Sequence, residues 1–273
     1  MPDTSPTPPI THAVEAPPAP LLGWIAETRL ALTFLTRLPL KLRPEIASLP
    51  VGAAVRAFPL IGILVGAIGA LVYAISDLLG MSPTVSSLLA IGAMVLLTGG
   101  LHEDGLADSA DGLAGTTREK ALAIMRDSRI GTYGVMALFF ILSLRVVAVS
   151  YAGSSIEAAC LLIAGAAGSR AVIPALMYML PPARREGLGW SAGHPDRRRV
   201  VDAGALGAVI VVVALWPIYW GLLAIAVATA AGALVTWLAR RRLGGQTGDV
   251  LGAAQQLAET SILLSYVAAP TWI

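Results

Sequence analysis

The chain has 273 residues, of which 56% are hydrophobic and only 13% charged, and its formal net charge is +2. Soluble domains carry about 25% charged residues. With a mean hydropathy of +0.75, the chain is no ordinary soluble globule and reads as a polytopic membrane protein. Its single cysteine, Cys160, excludes an intrachain disulfide framework and reads as a small buried hydrophobe.

Residues 1–20 hold seven prolines and no apolar periodicity, which predicts a disordered tail, with 21–273 forming one membrane-embedded catalytic domain. The tail lacks the basic start and apolar core of a cleaved signal, and no role is expected for its His12. Residues 22–40 mix Leu30, Leu32, Phe34, Leu35 and Leu38 with Arg29 and Arg37, the pattern of an amphipathic or re-entrant helix at the membrane surface. A span needs about 20 apolar residues. Segments 57–76, 84–99, 132–151 and 157–180 qualify. The run 204–238 is too long for one span and divides at Trp216-Pro217-Ile218-Tyr219-Trp220, giving 204–220 and 221–238. A last span covers 250–271. The predicted fold is therefore all-α: an integral membrane bundle of about seven spans with a cytoplasmic acidic helical loop.

The basic residues orient this map. Segments 21–56, 100–131, 181–203 and 239–249 hold 17 of the 19 Lys and Arg residues, and the alternate connections 77–83, 152–156 and 216–220 hold none. The positive-inside rule puts all four basic segments in the cytoplasm. Arg240, Arg241 and Arg242 read as part of that signal. The two remaining arginines, Arg145 and Arg170, lie within spans, where a charge is expensive and marks either a functional site or a structural ion pair.

Six of the 17 acidic residues fall in 100–131. Thr116-Thr117-Arg118-Glu119 is a capping box that predicts a helix over 117–127. Asp104, Asp108 and Asp111 are different. Their i, i+4, i+7 spacing puts three carboxylates on one helical face, where mutual repulsion calls for a cation. Hard oxygen donors suit Mg²⁺ or Mn²⁺ and not zinc. Gly105 and Gly112 are expected to let a phosphate approach the backbone. Asp127-Ser128-Arg129-Ile130-Gly131 adds a carboxylate and a planar fork for phosphate, or merely ends a helix. Gly244-Gly245-Gln246-Thr247-Gly248-Asp249 is a glycine-rich entry to a helix N-terminus, suited to an anion or to ordinary capping. His194 reads as an exposed loop histidine.

Gly99–Gly112, Ile124–Gly131 and Gly244–Asp249, in that order, resemble the cobalamin synthase family, the adenosylcobinamide-GDP ribazoletransferases. Phe34-Leu35-Thr36-Arg37-Leu38-Pro39 and Phe58-Pro59-Leu60-Ile61-Gly62 fit its opening, so the resemblance covers about residues 25–265. Glu103 departs from the pattern, which has an aliphatic residue there. The resemblance implies a membrane-bound, Mg²⁺-dependent phosphotransferase of the bacterial inner membrane with its site facing the cytoplasm. It would pass phosphoryl-cobinamide from adenosylcobinamide-GDP to a hydroxyl of α-ribazole or its 5′-phosphate, releasing GMP, in the last steps of coenzyme B12 synthesis. Metal ligands would be Asp104, Asp108, Asp111 and Asp127. Arg129 would bind phosphate. His102 or one carboxylate would take the hydroxyl proton. Arg170, Gly244, Gly245, Thr247 and Asp249 would hold the nucleotide or a second metal. The implied partners are the two substrates and the lipid bilayer, without nucleic acid, and a homo-oligomer is compatible with the sequence. Two other readings compete. A CDP-alcohol phosphotransferase would need Ala-Arg after Asp104-Gly105, where Asp108 follows Ala107. A divalent cation transporter would favour carboxylates in mid-span.

Overall fold

Residues 23–268 are described by a computed structural model, and the expectations for the 1–20 tail and for His12 lie outside them. The chain starts with α1 (Trp24–Leu35), α2 (Pro44–Ala47) and a 3₁₀ helix (Val51–Ala57) that runs into α3 (Phe58–Leu78). Then come α4 (Pro83–Thr98), α5 (Leu101–Gly112) and the short α6 (Arg118–Ile124). The remainder is α7 (Thr132–Ser150), α8 (Ser155–Met179), α9 (Leu188–Ser191), α10 (Arg197–Ala214), α11 (Ile218–Leu243) and α12 (Gly248–Val267). No strand occurs among the described residues; one isolated bridge joins Pro182 to Gln246.

A helix stands in each of the seven predicted span segments, and the aromatic break separates α10 from α11 as its composition predicts. The apolar content is less even than seven spans require. Among the described residues, four helical segments are long and apolar enough to cross a bilayer: Val51–Leu78, α7, α8 and α11. A fifth is obtained only if α4 and α5 count as one span broken by a 90° bend. The shortfall has a local cause. α10 opens with Arg197, Arg198 and Arg199, and α12 carries Gln255, Gln256 and Glu259 along its length. The outward faces of the long helices are apolar, as at Leu71, Phe139, Phe140 and Trp237, which suits contact with lipid tails.

α8 is the most enclosed of the four, packing against α3, α10 and α12. α1 is held to the body by its buried Glu27, which pairs with Arg56 and with Arg199 at the head of α10. α6 starts one residue later than the capping box implies: the N-cap is Thr117, whose hydroxyl accepts from the Lys120 N–H at 3.3 Å. α6 also ends at Ile124, short of the predicted 127.

Candidate active site

The acidic segment is a helix, not a loop, and two glycines aim it. Gly99 and Gly100 both adopt φ = +69°, a left-handed conformation that L-residues with a Cβ avoid. Together they turn the chain 90° out of α4 and into α5. α5 then crosses the start of α12 at backbone contact. A Cβ on Gly105 would lie 2.8 Å from the Asp249 carbonyl oxygen, with Gly252 Cα at 3.2 Å. Gly105 therefore makes room for α12, and the space beside Gly112 is taken by Met125. Neither leaves the open approach for phosphate expected from the sequence.

This crossing gives the three aspartates of one helical face three different surroundings. Asp111 is buried, and its carboxylate accepts from the N–H groups of Gly131 (2.7 Å) and Gly134 (2.9 Å). It caps the N-terminus of α7, an anion satisfying orphan helix donors. Asp111 thus has a structural task beside the ligand role expected from the sequence. Asp104 is exposed and Asp108 half-buried, and both face Asp249, contributed by the first turn of α12. Burial, together with the charges of Asp104, Asp249 and Asp111, pushes Asp108 up to about 6. Burial is the larger cause, and the like charges add to it, as they do where carboxylates outnumber the cations beside them.

One basic side chain answers them. Arg184 donates from Nη2 to Asp249 Oδ2 at 3.4 Å, and its charge acts on Asp108 too. Sequence reasoning placed Arg184 only in a cytoplasmic basic segment. Nothing in Pro181-Pro182-Ala183-Arg184-Arg185 separates it from its exposed neighbour Arg185; the fold makes the distinction.

The other expected residues fall elsewhere. Arg129 is 87% exposed and wraps its Nε and Nη2 around the carboxylate of Asp127, which that contact holds down at about 2. Each thus satisfies the other at the surface. Gly244 ends α11 in the left-handed conformation, Gly245 packs against the Pro181 carbonyl, and Thr247 caps α12 by accepting from Val250 N–H. Of that motif, only Asp249 brings a side chain to the carboxylates, and Thr247 steadies it with a 3.1 Å bond to Oδ2. His102 is buried with Nε2 lacking a partner; it lines an apolar cleft with Leu101, Phe34, Phe58 and Leu251. His194 is a loop histidine against the Tyr178 carbonyl, as expected.

Arg145 and Arg170 belong to a second, enclosed assembly. Arg145 donates from Nη1 to Gln256 (3.0 Å) and Glu103 (3.4 Å), and from Nη2 to Glu259 (2.5 Å). Gln256 also donates to Glu103 at 2.8 Å, and Gln255 bridges Glu259 to Ser169. Arg170 donates to the Ala166 carbonyl on its own helix and has Glu259 and Glu103 as its counter-charges. Glu103, the departure in the acidic motif, thereby gains a partner. Apolar run length alone does not reveal Gln255, Gln256 and Glu259 on α12, although polar groups in a span are themselves a signal.

Among the described residues, no three His, Cys, Asp or Glu side chains already converge as ligands to one ion. Asp104, Asp108 and Asp249 supply only carboxylate oxygens, the donor type that a hard divalent cation takes.

Comparison with known proteins is unambiguous at the family level. The family model described as cobalamin-5-phosphate synthase matches residues 27–267. A Bradyrhizobium diazoefficiens protein named adenosylcobinamide-GDP ribazoletransferase is 46% identical over 241 residues, covering 88% of this chain and 92% of that protein. Proteins of the same name from Allorhizobium ampelinum and Rhizobium etli are 42% and 41% identical, each covering 90% of this chain and 97% and 98% of their own length. No solved structure matches.

Proposed function

This chain belongs to the cobalamin-5-phosphate synthase family, and from that premise we propose that it joins adenosylcobinamide-GDP to α-ribazole or its 5′-phosphate. In the reaction a ribose hydroxyl oxygen forms a bond to the phosphorus that bears cobinamide. The pyrophosphate bridge breaks, GMP leaves, and the hydroxyl proton passes to a base. The observation that carries this reading is the meeting of Asp104 and Asp108 on α5 with Asp249 on α12, beside Arg184.

Those three aspartates would hold Mg²⁺. When bound, the cation supplies charge neutralisation for a pyrophosphate centre. The protein's own part is positioning. The Gly105–Gly252 contact fixes α5 against α12, so the carboxylates of the two helices keep one spacing. Asp111 fixes the far end of α5 to α7.

We place the protein in the bacterial cytoplasmic membrane with this site on the cytoplasmic side. Support comes from the four basic segments, which meet at one end of the bundle. Gly52 N–H donates to the Ala192 carbonyl, Arg118 donates to Leu243 and Ala183, and Arg242 donates to Leu113. Two of the connections without basic residues, 77–83 and 152–156, meet each other, where Ser155 donates to Asp77.

The test is turnover by the purified protein in lipid nanodiscs, with adenosylcobinamide-GDP, Mg²⁺ and each acceptor in turn, following GMP release. GMP formed only when an acceptor is present is the expected result. Divalent cation flux into vesicles without GMP release would instead favour a transporter.

A further inference from the structure

We propose that Arg184 is the residue that grips the phosphate oxygens of the nucleotide-bearing donor, a proposal that rests on the pyrophosphate chemistry assigned above. The first observation is an unfilled donor. Arg184 Nη1 is buried and has no hydrogen-bond acceptor, while Nη2 reaches Asp249 only at 3.4 Å. A guanidinium is always charged and carries its donors in a rigid fork. Leaving a buried donor of a charged group unbonded is costly, and an acceptor that arrives with the substrate would complete the fork.

The second observation is the surroundings. Arg184 is the cation that acts on both Asp108 and Asp249, inside a cluster that also includes Asp104. Three carboxylates repel a phosphate. A divalent cation offsets part of that, and an arginine with a spare arm offers both charge and direction at the same spot. Asp249 is the acidic partner of the other arm, at 3.4 Å.

The third observation is rigidity. The strand of chain carrying Arg184 is clamped on both sides. Gln246 N–H donates to the Pro181 carbonyl and Ala183 N–H to the Gln246 carbonyl, each at 2.8 Å. Arg118 donates to Ala183 and Leu243, each at 2.7 Å, and Arg126 pairs with Glu186. A fork on a braced backbone is worth more than the same fork on a loose one. Arg129, by contrast, is exposed and already engaged by Asp127.

The experiment measures binding of GDP with Mg²⁺ to the full chain in nanodiscs, alongside turnover, for wild type, Arg184→Gln, Arg184→Lys and the exposed neighbour Arg185→Gln. The Kd for GDP is expected to rise about tenfold or more in Arg184→Gln. Arg184→Lys should lie between, and Arg185→Gln should match wild type. In turnover the donor KM should follow the same order while the acceptor KM stays within about twofold. Should Arg184→Gln fail to fold, the Lys variant, which keeps the charge and loses the fork, carries the test alone. Wild-type GDP affinity and donor KM in either folded Arg184 variant, or a rise confined to the acceptor KM, overturns the proposal. Arg184-dependent GDP binding with no GMP release by wild type overturns ribazole transfer and leaves Arg184 standing.

Discussion

The two polar assemblies on α5 begin at adjacent residues and have opposite designs. Glu103 turns inward, where it, Arg145, Gln256 and Glu259 share hydrogen bonds and Arg170 evens the charge at two acids against two arginines. Asp104 turns outward, where it, Asp108 and Asp249 confront a single Arg184 that still has a buried arm to give. The inner assembly is buried and its charges are matched two against two, although Glu103 Oε2, Arg145 Nε and Arg170 Nε lack hydrogen-bond partners. The outer one is open, short of positive charge and short of an acceptor. Both are built on the same crossing of α5 over α12. What separates structure from chemistry here is therefore charge balance and access, not residue type.

The largest effect should come from breaking the closed side. Arg145→Met would leave Glu103 and Glu259 buried with too little positive charge, at a cost of about 3–5 kcal/mol. The folded yield in detergent and the thermal midpoint should both collapse. Adding Glu259→Gln should recover part of the loss by restoring the balance. On the open side, Asp108→Asn should leave yield and midpoint near wild type while lowering turnover about a hundredfold. Steady-state GMP release on protein of matched monodispersity checks this, and a stability loss as large as that of Arg145→Met would erase the contrast.

Asp111 sharpens the boundary between the two. Asn in its place keeps one acceptor for two backbone donors and loses the charge that favours a helix N-terminus. Asp111→Asn should therefore cost about 1–2 kcal/mol of stability, with a smaller loss of turnover than Asp108→Asn at permissive temperature. The smallest effect is expected at the exposed pair. Arg129→Gln should lower turnover less than about threefold, because solvent and Asp127 already satisfy that guanidinium.

These contrasts mark how far the sequence could be read. The helices, their order and the break at Trp216-Pro217 follow from apolar run length and interface aromatics, which are local properties. The i, i+4, i+7 face was legible for the same reason. What each face meets is a tertiary property. Asp111 reads like Asp104 until α7 is seen to start beside it, and Arg184 reads like Arg185 until Asp249 is seen across from it. Arg129 drew attention because it is close to Asp127 in sequence, and that same closeness lets the two residues satisfy each other. Glu103 looked anomalous in its motif, but the motif does not show Arg145, 42 residues away in sequence and in contact with it in the fold.

The central claim is that the open cluster, and not the closed one, is the metal site. The most direct measurement is Mn²⁺ binding by electron paramagnetic resonance, on wild type, Asp108→Asn, Asp249→Asn and Glu103→Gln in nanodiscs. The account predicts one saturable class of protein-bound Mn²⁺ in wild type that weakens about tenfold to a hundredfold in the two aspartate variants. That signal should persist in folded Glu103→Gln. Wild-type Mn²⁺ affinity in both aspartate variants, or its loss in Glu103→Gln alone, would contradict it.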